Sequence, residues 1–219
     1  MPSPPAVRAA TGQTSGGADI WVQPSGGAAI WGAGRLGVGP RRPIVCPGVE
    51  TWDAIRARRN VREYDNRPIE EDALHRILEA GWRSPSASNR QKWDFVLVTD
   101  RAQLEELATV WVGARHLATA AAAVVLVLPE PEADRYLTID QYDLGQSTMA
   151  MLLAATDLGI GSGHSGVGDQ DACRRILGVP ADRTAAYMIA LGYPAGRPLT
   201  PIVKPDRRPF EGVVHRGGW

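Results

Sequence analysis

The stretch from Ser84 to Val98 joins a polar loop to an apolar segment of strand length, and it restricts the possible folds more than any other part of the chain. Three serines, an asparagine, an arginine and a glutamine occur among residues 84–91. Pro85 fixes its own φ and keeps Ser84 extended, so the loop begins stiff. Residues 93–98 then predict a buried strand. A stiff loop rich in hydrogen-bonding groups suits a polar, planar ligand, and an ordinary helix-to-strand turn is the alternative.

The composition changes at about residue 48. Residues 1–48 are dense in Gly, Pro, Ser and Ala and show no sustained period of 2 or 3.6. Such a segment buries too little apolar surface to offset its ordering entropy, so we predict a disordered leader followed by one folded domain over residues 49–219. The Ile-Trp pairs at 20–21 and 30–31 leave open the alternative that the leader docks on this domain.

The charge balance and the cysteine count exclude several classes of partner. The 219 residues include 24 Lys+Arg and 24 Asp+Glu, which predicts no nucleic-acid partner and no attraction to an anionic membrane. No apolar run reaches bilayer-spanning length, and the N-terminus shows no signal-peptide pattern. The two cysteines show no metal-ligand spacing. We therefore expect a cytoplasmic protein without a metal site.

The predicted elements favour an α+β fold. Helices are predicted near residues 51–60, 69–82, 104–108, 136–158 and 169–177, the first with Thr51 as N-cap and the last with Asp169. Strands are predicted at residues 93–98, 120–128 and 185–191. The glycine-rich residues 159–168 are predicted to form a loop, and the chain after Pro194 an extended arm. Helices and strands do not alternate regularly, which argues against a doubly wound fold.

Three basic clusters could bind phosphate, because the planar arginine fork bonds two oxygens at once. They are Arg56/Arg58/Arg59/Arg62, Arg90/Lys92 and Lys204/Arg207/Arg208. A solvated basic face is the alternative for each. No phosphate-binding glycine loop or dinucleotide fingerprint is present, and neither a serine-hydrolase motif nor a metal signature is found. An enzyme of this sequence would take its reactivity from an organic cofactor.

Five segments, in this order, resemble the FMN-dependent nitroreductase family. They are Arg58-Arg59-Asn60-Val61-Arg62, residues 84–93, residues 157–161, residues 191–194, and Arg207-Arg208-Pro209 followed by residues 213–215. The resemblance covers about residues 49–219. It implies a central mixed, mainly antiparallel sheet flanked by helices, and a homodimer in which the C-terminal arm reaches the partner subunit. Each of two FMN molecules would lie at the dimer interface.

The resemblance implies ping-pong hydride transfer through flavin N5, from NADH or NADPH to a nitro-aromatic, a quinone or a similar small molecule. Other flavin reactions of the same fold stay open, namely dehydrogenation, dehalogenation and flavin fragmentation. A flavin-binding protein without turnover is also open. The preference between NADH and NADPH and the physiological acceptor are not indicated by the sequence.

The resemblance also assigns FMN contacts by position. Arg58 and Asn60 would meet the phosphate and ribityl chain, with Arg59 between them. Arg62 would approach the pyrimidine end, where a fixed positive charge favours the anionic reduced ring. Arg207 would bind the phosphate, with Arg208 beside it. The other assigned contacts are Pro85, Ser86 and Ala87 from the partner chain, supported by Asn89 and Gln91, and His164, Ser165, Gly166 and Val167 at the N5 edge.

Overall fold

Four antiparallel strands form the centre of the computed structural model, which describes residues 50–219. The strands are β1 (Asp94–Val98), β2 (Ala122–Pro129), β3 (Gly161–Gly166) and β4 (Arg183–Gly192). Their order in the sheet is β1-β2-β4-β3, so β2 and β4 are central and β1 and β3 are edges. The predicted leader lies outside the described residues and stays a prediction.

Five α-helices and three short 3₁₀ segments are present among residues 50–219. The helices are α1 (Thr51–Ala57), α2 (Glu71–Trp82), α3 (Arg101–Leu107), α4 (Asp134–Asp157) and α5 (Gln170–Leu177), and the 3₁₀ segments are Ala87–Asn89, Val112–Thr119 and Phe210–Gly212. The predicted boundaries of α5 are confirmed. The Asp169 carboxylate accepts the Ala172 N–H at 2.8 Å, and Gly178 ends the helix in the left-handed conformation.

Helices cover both faces of the sheet and give it two apolar layers. On one face, alternate residues of β2 and β4 such as Val125 and Met188 pack with Leu104 and Leu117. On the other face, residues such as Val124 and Ile189 pack against α2 and α4. The predicted apolar stripe of α4 is confirmed, because its buried residues include Leu144, Ser147, Met151, Leu152 and Ala155. The α+β prediction is therefore correct.

Several local predictions are wrong. Residues 161–166 form β3 rather than part of a loop, since their backbone pairs with β4 and the lack of a side chain at Gly161 and Gly163 permits close packing. Thr51 is the first helical residue of α1, and Glu50 occupies the N-cap position without a side-chain cap. The strand predicted as buried at 93–98 is the edge strand β1, with Asp94 and Leu97 exposed. The prediction of a mainly antiparallel sheet, by contrast, is confirmed: its strand pairs are antiparallel, and among residues 50–219 the parallel component is one isolated bridge between Asn60 and Ser162.

The extended residues 58–65 lie against the outer edge of β3. The Val61 N–H donates to the Ser162 carbonyl at 2.9 Å, and the buried Tyr64 hydroxyl donates to the Val61 carbonyl at 2.7 Å. On its other side this segment pairs with the chain after β4, through the Ala195 N–H and the Glu63 carbonyl at 3.1 Å. The first arginine cluster is thus held by backbone hydrogen bonds on both sides.

Gly163 is the closest point of this contact. A Cβ atom at Gly163 would lie 2.3 Å from the Val61 carbonyl oxygen and 3.2 Å from His116 Nε2. His116 is itself buried, and its Nε2 lies 3.2 Å from the Gly163 carbonyl oxygen. Burial lowers the pKa of His116 below its ordinary value, and the charges of Arg62 and His164 act in the same direction. Its hydrogen bonds to backbone carbonyls oppose this shift only in part.

Replacing Gly163 with Ala should lower the free energy of unfolding by more than about 2 kcal/mol, because the added methyl group would displace backbone rather than a flexible side chain. Gly166→Ala, in the same strand, is the matched control, since nothing lies within 4 Å of a Cβ at that position. Denaturant unfolding of both flavin-free proteins measures the difference. Equal stability of the two variants would show that residues 58–65 do not pack on Gly163 as described.

The stability should depend on pH through His116. Its folded-state pKa lies below the unfolded value, so the unfolded chain binds more protons at acidic pH. Its contribution to stability is complete above the unfolded pKa of about 6.5 and falls as the pH drops towards the folded-state value. The free energy of unfolding of His116→Gln should therefore decrease less than that of the wild type between pH 7.5 and pH 5. Parallel pH profiles for the two proteins would refute this role of His116.

Candidate functional site

Arg58, Arg62, Arg207 and His164 form a basic cluster at the outer edge of β3. Burial lowers the pKa of Arg58, and the charge of Arg207 lowers it further. The pKa of His164 is lowered first by burial and then by Arg58 and Arg62, so these three groups are close together. Among residues 50–219, no carboxylate forms an ion pair with Arg58, Arg62 or Arg207. We call these four residues the basic cluster.

The positive charges of the basic cluster repel one another when no anion is bound. Arg58 is partly buried near the exposed Arg62 and Arg207, so its charge is unfavourable without a counter-charge and becomes favourable when an anion binds beside it. Arg58 Nη1 donates to the Asn60 side-chain oxygen at 3.2 Å, which orients the Asn60 amide and leaves its NH₂ group available as a donor. The cluster therefore has the charge and the donors of a phosphate site.

The neighbouring part of β3 offers backbone and hydroxyl groups. Beyond the Asn60–Ser162 bridge, no strand among residues 50–219 pairs with the outer edge of β3 at 163–166. The Ser165 hydroxyl is buried and has no hydrogen-bond partner within the described part of the chain. His164 is exposed, and Val167 follows the strand. A ligand along this edge would find main-chain groups.

Two clefts open beside the basic cluster. One, of about 580 Å³, lies between Arg62, Tyr64 and His116. The other, of about 620 Å³, lies between His164, Tyr187 and the exposed side of α4. The sequence analysis did not select His116 or Tyr187. His116 lies in a 3₁₀ segment that has no sequence signature, and Tyr187 lies on a strand whose apolar pattern indicates a core element rather than a site.

Residues 84–91 form a strained loop attached to α4. Ser88, Asn89 and Gln91 have φ values of 52°, 54° and 49°, a left-handed conformation that costs energy for residues other than glycine. The Ala87 N–H donates to the buried Asp143 carboxylate at 2.9 Å, and the Gln91 N–H donates to the Ser86 hydroxyl at 3.0 Å. Side chains and backbone together thus hold the loop in one conformation.

The structure does not bring this loop to the basic cluster of its own chain. The predicted contacts Pro85, Ser86, Ala87, Asn89 and Gln91 are held beside α4, whereas Arg58 and Arg62 lie beside β3. Arg90 pairs with the buried Asp140 at 3.4 Å, and Lys92 pairs with Glu132 at 3.2 Å. The second basic cluster of the sequence is therefore neutralised by carboxylates and is not available to an anion.

The remaining predicted residues are divided between two places. Arg208 is exposed on the C-terminal segment next to Arg207. Arg59 donates through Nη2 to the carbonyl of Arg197, so its contacts differ from those of Arg58.

Among residues 50–219, no group of three or more His, Cys, Asp or Glu side chains could hold a metal ion. No helix within the same range has both the length and the apolar character needed to cross a bilayer.

Comparison with known proteins gives the family. The chain matches the nitroreductase family model over residues 55–139 and 111–193. It is 33% identical over 176 residues to the "Putative NADH dehydrogenase/NAD(P)H nitroreductase" of Archaeoglobus fulgidus, covering 78% of this chain and 99% of the relative. It is 30% identical over 205 residues to an NADH dehydrogenase of Thermus thermophilus, covering 77% and 96%.

A solved structure agrees with these matches. The NADPH:FMN oxidoreductase of Vibrio harveyi in complex with NAD⁺ superposes with a TM-score of 0.67 at 26% identity, over 76% of each chain. The order of the five sequence segments and the fold now agree with the family match. The chain therefore belongs to the nitroreductase family.

Proposed function

We propose that the protein is an FMN-dependent NAD(P)H oxidoreductase that reduces a nitro-aromatic, a quinone or a similar small molecule in the cytoplasm. The observation that carries this proposal is the basic cluster, which has no carboxylate partner among residues 50–219 and lies beside the unpaired edge of a glycine-rich strand. The names of relatives as NAD(P)H nitroreductase and NADPH:FMN oxidoreductase support it.

The residues present fit FMN. Arg58 and Arg207 would bind the phosphate, because their mutual repulsion is relieved by a dianion between them. Asn60 would donate to the phosphate or the ribityl chain. Arg62 would approach the pyrimidine end of the ring from the wall that it shares with His116. Ser165, the backbone of Gly166 and Val167, and the exposed His164 would lie along the flavin edge.

FMN would supply the redox chemistry by accepting a hydride at N5 from NAD(P)H and then reducing the acceptor in a ping-pong cycle. The protein groups bind the flavin, orient it and set its charge environment. Arg62 stabilises negative charge at the pyrimidine end, which favours the reduced state. The absence of side chains at Gly161 and Gly163 permits the close packing that places the arginines of residues 58–62 at the edge of β3.

A homodimer with FMN at its interface would explain two further features. Leu137, Tyr142 and Met149 of α4 are exposed, as are Phe210, Val213 and Val214 of the C-terminal arm. The strained loop is held away from the basic cluster of its own chain, so Pro85, Ser86 and Ala87 would contact the flavin bound to the partner subunit. Asn89 and Gln91 would support these contacts, and Arg208 would lie beside Arg207 at the phosphate.

The purified full-length protein should be yellow and should release FMN on heating. NADH or NADPH should bleach its absorbance near 450 nm, and a quinone should restore the absorbance with turnover. Chromatography of the released flavin identifies the cofactor, and FAD as the main species would contradict the proposal. Release of FMN without bleaching by either donor would instead favour a flavin-binding protein without turnover. Bleaching without reoxidation by quinones or nitro-aromatics would favour another flavin reaction.

The three arginines of the cluster should differ in their effects. Arg58→Ala and Arg207→Ala should each weaken FMN binding by roughly 1.5–3 kcal/mol, the scale of a charge-assisted hydrogen bond, with little change in the flavin potential. Arg62→Ala should lower the midpoint potential by roughly 30 mV or more, because about 1.4 kcal/mol of preference for the reduced state is lost.

Spectroelectrochemical titration and FMN titration of the three variants measure these effects. Arg175→Ala is the matched control, since Arg175 is exposed on α5, outside the basic cluster. A shifted potential in Arg58→Ala together with a wild-type potential in Arg62→Ala would reverse the assignment of these side chains to the two ends of the flavin.

A further inference from the structure

A third cleft, of about 310 Å³, shares Arg62 with the cleft beside His116. Its lining includes Arg59, Arg62 and Arg197, together with Glu63, Val61, Pro194 and Gly196. We call it the Arg59–Arg197 cleft. It lies where residues 59–63 run beside the turn that follows β4, and the Ala195 N–H joins the two segments by donating to the Glu63 carbonyl at 3.1 Å.

Arg59 is incompletely satisfied in this cleft. One terminal nitrogen, Nη2, donates to the Arg197 carbonyl, while the buried Nε has no hydrogen-bond partner among residues 50–219. Burial lowers the pKa of Arg59, and the neighbouring charge of Arg197 lowers it further. Within the same range, neither arginine forms an ion pair, and Glu63 forms none either. Arg59 and Arg197 therefore place two close positive charges beside a concave surface.

Arg59 and Arg197 add more positive charge than one flavin phosphate requires. Arg58 and Arg207 are adjacent and suffice for one phosphate group, whereas Arg59 and Arg197 form a separate pair. In an extended chain, successive side chains point to opposite sides, which accounts for the different contacts of Arg58 and Arg59. A flavin phosphate held by the first pair would not reach the second pair from the same side of the segment.

We propose that the Arg59–Arg197 cleft binds a phosphate group of the dinucleotide electron donor. The proposal rests on the proposed NAD(P)H oxidoreductase function. Paired arginines recognise phosphate by charge and by two-point hydrogen bonding. The cleft is at the small end of ligand pockets, which are about 300–1,000 Å³, so it suits one end of a ligand rather than a whole dinucleotide. Arg62 lines both this cleft and the one beside His116, so the donor and flavin sites would be contiguous.

Arg197→Ala tests this proposal without disturbing the fold. The Arg197 side chain is exposed, and Arg59 uses the backbone carbonyl of Arg197, which the substitution retains. Isothermal titration calorimetry on the full-length protein as purified, with its flavin content recorded, would measure binding of adenosine 2′,5′-bisphosphate, ADP and inorganic phosphate. Arg175→Ala again serves as the control.

Arg197→Ala should weaken nucleotide binding by about tenfold while flavin content stays at the wild-type level. Loss of affinity for adenosine 2′,5′-bisphosphate alone would assign the cleft to the 2′-phosphate of NADPH, and equal loss for ADP would assign it to the donor diphosphate. Steady-state kinetics should agree, with a raised KM for the donor and an unchanged kcat.

Three results would overturn the proposal. The first is unchanged affinity for both nucleotides in Arg197→Ala, which would leave Arg59 as a tether between two segments. The second is loss of flavin in that variant, which would assign the cleft to FMN. The third is binding of inorganic phosphate in the wild type without binding of either nucleotide. Absence of flavin from the wild type would refute the proposed function, whereas the nucleotide titration would still report on the cleft.

Discussion

The packing of Val61 against Gly163 determines where the arginines of residues 58–62 lie. The Val61 carbonyl comes so close to Gly163 that no larger residue fits there, and the adjacent N–H is bonded to Ser162 at 2.9 Å. Gly161 gives the same strand a second close contact, with the Val61 side chain. Buried Tyr64 bonds the Val61 carbonyl, and buried His116 lies beside the Gly163 carbonyl. Gly161 and Gly163 thus allow residues 58–62 to pack closely against an edge strand, and this packing fixes the position of the arginines.

This arrangement brings positive charges close together, which lowers the stability of the folded protein. The pKa values of Arg58, Arg59, His116 and His164 are all lowered, in each case first by burial and then by neighbouring cations. Stability alone would favour placing carboxylates beside these groups, as the chain does for Arg90 with Asp140 and for Arg183 with Asp94. Within residues 50–219 no carboxylate forms an ion pair with an arginine of the basic cluster, which is the pattern expected when binding of an anion offsets the repulsion.

The sequence predicted the parts of this structure that depend on local signals. Periodicity predicted the apolar stripe of α4, and capping chemistry predicted the Asp169 and Gly178 caps of α5. The spacing of the motifs gave the order of the family segments, and the α+β class followed from the sequence of predicted elements. The strand Gly161–Gly166 could not be found in that way, because glycine has low strand propensity and its pairing with β4 is a non-local contact. The edge position of β1 could not be predicted either, because an apolar run does not reveal whether a strand has one neighbour or two. The left-handed residues Ser88, Asn89 and Gln91 depend on buried contacts of the loop with α4.

We propose that the basic cluster binds the phosphate of a flavin. Titration of the flavin-free protein with FMN and with riboflavin tests it most directly, because the two ligands share the same ring and differ by the phosphate. The account predicts that FMN binds at least about 100-fold more tightly than riboflavin at low salt, since two arginines would each add roughly 1.5–3 kcal/mol. The difference should shrink as the salt concentration rises. Equal affinities for the two ligands would show that the cluster does not bind the flavin phosphate and would contradict the account.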